Sequence, residues 1–197
     1  MRNVSKSTNL TIKLSLLSAI ALLLVYFEFP VLPSFTFLKI DLSDIPALIG
    51  AFTFGPLAGV VIEALKNILI MFVKGSQSGG IGELANFMVG CFYVCTAGFI
   101  YGKNKNRKTA IYSLIVATIV MSVAGVLANY FIFVPMYYGD KSTAFIIHYM
   151  VYGIVPFNLI KGVIISIVTI VIYKRVSVLI HSEASKGWNT NSRKKSA

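Results

Sequence analysis

Long apolar runs alternate with short polar segments along most of the chain. Each run is too long and too uniformly apolar for the surface helix of a soluble domain, which carries only one apolar stripe. A hydrocarbon core of about 30 Å takes about 20 residues of helix to cross. We therefore predict an all-α integral membrane protein with six transmembrane helices, one of them short. The predicted spans are Leu10–Phe27, Asp44–Phe54, Leu57–Val73, Gly82–Tyr101, Ala110–Phe133 and Phe157–Tyr173.

The second and third spans are separated at Gly55-Pro56. Proline lacks a backbone N–H and clashes with the preceding turn, so helices tend to end there. Charge supports the break: with six spans every strongly basic segment lies on one side, whereas a single helix over 44–73 would move Lys103–Lys108 to the other. Because basic segments favour the cytoplasmic side, we predict a multi-pass protein with both termini in the cytoplasm.

Three connections then lie on the outer side, at Glu28–Ser43, Lys74–Ile81 and Pro135–Pro156. The first is apolar for a loop and carries several aromatic residues. It can fold back over the membrane domain as an outer lid, or it can rest at the membrane interface, where aromatic residues are favoured. The third is rich in tyrosine. We predict a short helix there, at Ser142–Tyr152, but no full span.

Composition agrees with a membrane protein, since 56% of the residues are hydrophobic and only 13% are charged. A soluble domain averages about 45–50% apolar residues and about 25% charged residues. The net charge of +11 would suggest nucleic acid in a soluble protein, but here it lies in clusters that flank the spans. We predict no nucleic-acid partner and one membrane domain at 10–180. It follows a cytoplasmic N-terminus at 1–9 and precedes a basic, disordered tail at 181–197.

Residues that carry enzyme chemistry are sparse. The sequence has no Gly-rich phosphate loop of the Walker type, and His148 and His181 are predicted to lie in a loop and in the tail, without metal-ligand spacing. Cys91 and Cys95 are four residues apart inside an apolar span, where they are best explained as small packing residues. We predict no enzyme activity, no metal site and no cofactor.

Polar residues within the spans gather at one predicted level, near the outer ends of four helices. Ionisable groups inside a membrane are costly, which makes them candidate functional groups. Simpler explanations remain open: Asp44 can cap a helix, and Glu83 can be only a helix-start residue. Lys161 can snorkel to the surface, and Asn129 can hydrogen-bond across helices. In the third span Glu63 and Lys66 can be a neutralising pair. The outer set is Asp44, Glu83, Asn86, Asn129, Asn158 and Lys161.

The outer set suits a flat heterocycle with carbonyl groups and ring nitrogens. Asn158 and Lys161 are three residues apart and share a helix face. Amides offer donors and an acceptor, and lysine donates to carbonyl oxygens. Aromatic side chains that could stack on such a ring are Tyr130, Phe131, Phe133, Tyr137, Tyr138, Tyr149 and Tyr152.

Four segments resemble the riboflavin-specific substrate-binding subunits of energy-coupling-factor (ECF) vitamin transporters. They are DLSDIPALIGAFTFGPLAGVVIEALKN (Asp41–Asn67), GELANF (Gly82–Phe87), LANYFIFVPMY (Leu127–Tyr137) and PFNLIKG (Pro156–Gly162). The resemblance implies six helices, a vitamin pocket near the outer surface and a bacterial plasma-membrane location.

The resemblance also implies roles for individual residues. Asn129, Asn158 and Lys161 match the family residues that bind the isoalloxazine ring. The start of the second span and the segment before the fourth span match other pocket regions. Those regions contain Asp44, Ala47, Leu48, Gln77, Glu83 and Asn86.

The resemblance further implies protein partners, namely a transmembrane coupling (T) subunit and two ABC-type ATPase subunits. Small residues of the first span would contact the coupling subunit, here Ser15 and Ala19. Their spacing lets helices approach closely, although an Ala-xxx-Ala form is commoner in the family.

Three alternatives remain open. A gradient-driven secondary transporter could use Glu63 and Lys66, or Glu83, as an ion site. A membrane enzyme such as a lipid-headgroup transferase would need a metal-binding carboxylate cluster, for which Asp41 and Asp44 alone are too few. A substrate-binding subunit for another vitamin would share the fold, because fold does not fix function.

Overall fold

The computed structural model describes residues 6–76, 78–139 and 142–172, so the predicted basic tail lies outside the described residues. Five helices are long and apolar enough to cross a membrane, and one shorter apolar helix accompanies them. The prediction of an all-α membrane protein with six helices, one short, is confirmed. The helices are α1 (Lys6–Val25), α2 (Asp44–Phe54), α3 (Pro56–Val73), α4 (Ile81–Lys103), α5 (Arg107–Tyr138) and α6 (Thr143–Ile172).

The predicted break between α2 and α3 is confirmed. Gly55 has φ +101° and ψ 167°, and Pro56 is the first residue of α3. A positive φ of this size favours glycine, and proline is tolerated in the first helical turn because its missing N–H would have no helical partner there. The two helices therefore fold into an antiparallel pair, with Asp44 of α2 beside Lys66 of α3.

The last two helices are longer than predicted. The predictions that the fifth span ends at Phe133 and that the sixth span begins at Phe157, after a separate short helix, are wrong. Helix α5 continues through a π-helical turn at Asn129–Phe133 to Tyr138, and α6 already begins at Thr143 and passes through a second π-turn at Met150–Ile154.

Both prolines are accommodated in the same way. Pro135 and Pro156 each lie two residues after the end of a π-turn. Local π adjustments let a membrane helix absorb the hydrogen bond that proline cannot make. His148 accordingly lies in helix α6, and its prediction as a loop residue is wrong.

The apolar core lies between α2, α3, α4, α5 and α6. It is built around Ile62, Tyr93, Leu114, Met121 and Ile165, all of them at most 1% exposed. Small residues bring α2 close to its neighbours: a Cβ added at Gly59 would lie 2.8 Å from the Cβ of Ala51, and one added at Gly98 would lie 3.1 Å from it. Close packing of this kind drives helix association in lipid.

One end of the bundle carries the longer connections, at residues 26–43, 74–80 and 139–142, and we call it the cavity end. The first connection forms a short antiparallel hairpin of β1 (Phe29–Pro30) and β2 (Lys39–Ile40). Aromatic contacts fasten it to α6, because the ring of Tyr149 lies 5.6 Å from that of Phe35 and 6.1 Å from that of Phe37. The first connection therefore does fold back over the helices.

Candidate functional site

A cavity of about 500 Å³ opens at the cavity end, between the hairpin and α3 to α6. This lies within the range of sites that bind drug-sized ligands. The two π-turns contact each other beside it, and π-turns occur often at functional sites. The polar residues lining it include Asp41, Ser78, Glu83, Asn86, Asn129, Asn158 and Lys161.

Three asparagines offer amide groups to this cavity. The amide nitrogens of Asn129 and Asn158 donate to carbonyl oxygens four residues earlier, Gly125 O at 2.8 Å and Ile154 O at 3.1 Å. Each bond uses one N–H of the amide, so the second N–H and the amide oxygen retain capacity for a ligand. Asn129 and Asn158 are thus oriented by their own helices.

Asn86 connects the cavity to its floor. Its amide nitrogen donates to Asn67 Oδ1 at 3.2 Å, and its oxygen accepts from Lys161 Nζ at 2.7 Å. These two bonds determine which end of the amide is the acceptor. The second N–H of Asn86 remains for a ligand.

Below Lys161 lies a cluster of buried charges. Lys161 Nζ is 3.0 Å from Asp44 Oδ2, and the other oxygen of Asp44 accepts a hydrogen bond from Lys66. Lys66 also pairs with Glu63 Oε2 at 2.6 Å. Asp44, Glu63 and Lys66 are 0% exposed. We call these four side chains, Asp44, Glu63, Lys66 and Lys161, the buried ion network.

The connection before α4 is organised by serine hydroxyls around Glu83. Ser76 Oγ donates to Glu83 Oε2 at 2.7 Å, and Ser78 Oγ lies 3.3 Å from the same oxygen. The two hydroxyls also accept from backbone N–H groups of the turn, at Gly80 and Gly82. Glu83, predicted from its place in the first turn of the fourth span, therefore fixes the segment that forms one wall of the cavity.

Aromatic side chains form another part of the cavity wall. Phe133, Tyr137, Tyr138 and Tyr149 line the cavity as the sequence indicated. Tyr130, Phe131 and Tyr152 are more than half exposed and do not line it. Phe37 of the hairpin connection and Phe157 of α6 were not in the predicted aromatic set but do line it.

At the mouth of the cavity a second charge cluster joins the hairpin to α3. Glu28 pairs with Lys39 at 2.6 Å and with Lys74 at 2.5 Å, and all three residues line the cavity. Burial acts to raise the pKa of the Glu28 carboxyl, but hydrogen bonds and charges from the two lysines outweigh it and leave the pKa lowered. We call these three residues the mouth cluster. Sequence reasoning missed it, although an acid and two lysines at the ends of outer connections were a usable signal.

The predicted site residues fall into distinct places. Asn129, Asn158, Lys161, Glu83 and Asn86 all line the cavity. That these residues bind a ligand stays a prediction, as it does for Gln77, which lies outside the described residues.

The predicted residues of α2 are placed differently. Ala47 and Leu48 are 0% exposed, pack in the apolar core and do not line the cavity. The N-cap of α2 is Ser43, not Asp44, and its side chain makes no capping hydrogen bond. The carboxylate of Asp44 faces Lys66 and Lys161 instead of the helix N-terminus.

On α1, Ser15 and Ala19 lie on the exposed face, whereas Ser18 and Ala21 face the bundle. The predicted partner-contact pair is therefore accessible from the membrane. Among residues 6–76, 78–139 and 142–172, Cys91 and Cys95 are free thiols, and no cluster of metal-ligating side chains is found.

Comparison with known proteins places this arrangement in a family. The sequence profile described as "ECF transporter, substrate-specific component" matches residues 9–173. "Riboflavin transporter RibU" of Staphylococcus aureus (strain TCH60) is 40% identical over 171 residues, which cover 84% of this chain and 89% of that protein. "Riboflavin transporter FmnP" of Bacillus subtilis (strain 168) is 36% identical over 179 residues, covering 87% and 93%.

A solved structure is also similar. It is described as "Structure and mechanism of the S component of a bacterial ECF transporter" and superposes with a TM-score of 0.75 at 38% identity. The match covers 89% of this chain and 99% of that one.

Proposed function

The chain belongs to the family of substrate-specific components of ECF transporters, and on that premise we propose that it is the riboflavin-binding membrane subunit of an ECF-type uptake transporter. The predictions of a multi-pass transporter component and of a protein that is not an enzyme are confirmed by the family and by the five spanning helices. The vitamin, the partners and the orientation belong to the proposal.

The observation that carries the proposal is the convergence of three asparagines, one lysine and an aromatic wall on a single cavity of about 500 Å³. An isoalloxazine ring is flat, and its pyrimidine edge alternates carbonyl oxygens with nitrogens. Amides of Asn129 and Asn158 can donate to and accept from that edge, and the Lys161 ammonium can donate to a carbonyl oxygen. Tyr149 and Phe133 can pack on the faces of the ring.

Binding in this cavity requires no bond making or breaking. The hairpin connection covers the cavity and retains the vitamin, which is cargo and not a cofactor. Release into the cell requires energy, and the sequence has no Walker-type phosphate loop. A T subunit in contact with the Ser15 and Ala19 face of α1, together with two ABC-type ATPase subunits, would supply it.

The orientation follows from charge. The loop Lys103–Lys108 and the cavity lie at opposite ends of the bundle. If the basic loop faces the cytoplasm of a bacterial cell, the cavity opens to the outside. That is the side from which an uptake system must collect its substrate.

The first test is the absorption and fluorescence spectrum of the detergent-purified protein, before and after denaturation. We expect yellow protein that releases near-stoichiometric riboflavin on unfolding, or colourless protein that quenches the fluorescence of added riboflavin. A protein that does neither contradicts the proposal. Competition with other vitamins in the same assay separates a riboflavin site from a site for another vitamin.

Uptake assays test the coupling. We expect riboflavin uptake by cells to require the ATPase partners and to persist when the proton gradient is collapsed. The reverse result favours a gradient-driven transporter. Of the residues that this alternative would use, Glu63 and Lys66 are paired with each other and do not line the cavity. Glu83 does line it, with its carboxylate accepting a hydrogen bond from Ser76, so the uptake assay decides between the two functions.

A further inference from the structure

The buried ion network contains more charge than ligand binding by Lys161 would need. Its two carboxylates and two ammonium groups come from three helices, Asp44 from α2, Glu63 and Lys66 from α3, and Lys161 from α6. With both carboxyl groups ionised, the four charges sum to zero. Burying each of these groups is expensive, so a role beyond joining the helices is worth testing.

Asp44 has a special position in this network. Among the ion pairs of the described residues, it contacts both lysines, whereas Glu63 contacts Lys66 alone. Lys161 is the one member of the network that lines the cavity. Asp44 is therefore the direct link between the cavity wall and the charges beneath it.

The donors of Lys161 can be counted. An ammonium group has three N–H donors. In the described part of the chain, one donates to Asn86 Oδ1 at 2.7 Å and one side of the group faces Asp44 Oδ2 at 3.0 Å. At least one donor is left for a ligand at the cavity surface, because the contact with Asp44 Oδ2 is an ion pair without hydrogen-bond geometry. Without Asp44 the flexible four-carbon side chain would have one fixed partner fewer and more ways to turn away from the cavity.

Fixing this side chain before binding has a thermodynamic consequence. Ordering a lysine on ligand binding loses side-chain conformational entropy, and a site that is already ordered avoids that cost.

We propose that Asp44 is a positioning residue, which holds the ammonium of Lys161 in the cavity wall with one N–H directed to a carbonyl oxygen of the ligand. The inference rests on the proposed function, since riboflavin supplies that carbonyl. Glu63 is an equally buried carboxylate that pairs with Lys66 and accepts from the Asn67 amide nitrogen at 3.5 Å, but it forms no ion pair with Lys161, so it provides a matched control.

The test is a double-mutant cycle on the detergent-purified full chain, with riboflavin affinity measured by fluorescence quenching on the monodisperse fraction. We expect Asp44→Asn and Lys161→Met each to weaken binding by about tenfold to a hundredfold, the range of a hydrogen bond to a charged group. The double variant should bind no more weakly than the weaker single variant. Glu63→Gln should change affinity by less than about twofold.

A spectroscopic readout separates positioning from a purely structural role. The absorption bands of bound riboflavin should shift in the same direction in Asp44→Asn and in Lys161→Met, because both remove the same ordered donor. Glu63→Gln should leave the bands unchanged even where it lowers the melting temperature. A variant that only loosens the helices would not produce this pattern.

Equal effects of Asp44→Asn and Glu63→Gln on affinity, or additive effects of Asp44→Asn and Lys161→Met, overturn the inference. If Asp44→Asn does not yield folded protein, Asp44→Asn/Lys66→Met removes one charge of each sign and keeps the network balanced. Wild-type affinity in that variant also overturns the positioning role. Absence of riboflavin binding in the wild type overturns the proposed function together with the inference, whereas additivity in a binding-competent protein overturns the inference alone.

Discussion

The protein contains two clusters in which one carboxylate lies between two lysines, and they differ mainly in depth. In the buried ion network Asp44 contacts Lys66 and Lys161, with side chains that are 0 to 5% exposed. In the mouth cluster Glu28 contacts Lys39 and Lys74, with side chains that are 23 to 36% exposed. The cavity lies between the two.

The contrast shows how burial changes the contribution that a carboxylate–lysine ion pair makes to stability. A buried pair gains a strong attraction but loses hydration, so removing one partner leaves an uncompensated charge. A partly exposed pair is screened by water and salt and contributes little net stability. The deep cluster can therefore fix the geometry of the floor, whereas the cluster at the mouth can open and close at small cost. Four predictions test this difference.

The largest effect is expected from Lys66→Met, which removes the cation shared by Asp44 and Glu63. Loss of this cation from two buried carboxylates should destabilise the protein by about 3–5 kcal/mol. The matched control at the mouth, Lys74→Met, should cost less than about 1 kcal/mol. Melting temperatures in detergent measure both, and a similar loss in the two variants contradicts the comparison.

The next effect concerns the cavity between the clusters. A Cβ at Gly125 would collide with the amide nitrogen of Asn158, so Gly125→Ala should displace that side chain. We expect riboflavin affinity to fall by about tenfold or more, the loss of about one well-placed hydrogen bond. In Gly102→Ala the added methyl group meets nothing within 4 Å. Titration of both variants should show wild-type affinity in the control, and equal affinities would argue against a role for Asn158.

A smaller effect is expected from Glu28→Gln, which weakens the contacts of the hairpin with α3. Stability should change by less than about 1 kcal/mol, while riboflavin should dissociate several-fold faster because the hairpin opens more readily. Stopped-flow release measures this rate. The difference between wild type and variant should shrink at high salt, where exposed ion pairs are screened; a difference independent of salt would exclude the ionic explanation.

The smallest effect is a pH dependence at the mouth. The folded pKa of Glu28 is lowered by Lys39 and Lys74, so its stabilising contribution is complete above the unfolded pKa of about 4.3. It is lost as the pH falls through the lower, folded pKa. The difference in melting temperature between wild type and Glu28→Gln should be constant from pH 7 to about 5 and disappear in stronger acid. If the difference in melting temperature changes near neutral pH instead, the pH dependence arises from another titratable group.

Much of the fold could be read from the sequence because lipid allows few solutions. A chain that crosses a membrane must satisfy its backbone within each segment, so runs of apolar residues of sufficient length predict helices directly. Gly55-Pro56 marks the break between α2 and α3 for a local steric reason. The same local reasoning misplaced the ends of α5 and α6, because proline is also compatible with a helix once a π-turn precedes it, as at Pro135 and Pro156.

The site was predictable in part. Asn129, Asn158 and Lys161 were identified by type and family resemblance, and all three line the cavity. Their expected position at helix ends was wrong, since they lie within α5 and α6. The sequence suggested Glu63 and Lys66 as a pair, but it did not reveal that Asp44 joins them to Lys161.

The sequence by itself determined the membrane class, the number of helices and the identity of the polar groups, because these depend on local composition and on the energy of burying a segment in lipid. Only the tertiary structure decided which of those groups meet. Asp44 and Lys161 are far apart in the chain, and their contact depends on how α2 and α6 both pack against α4. Packing over such distances is a property of the whole bundle, and it separates the charges that fix the cavity floor from those that close its mouth.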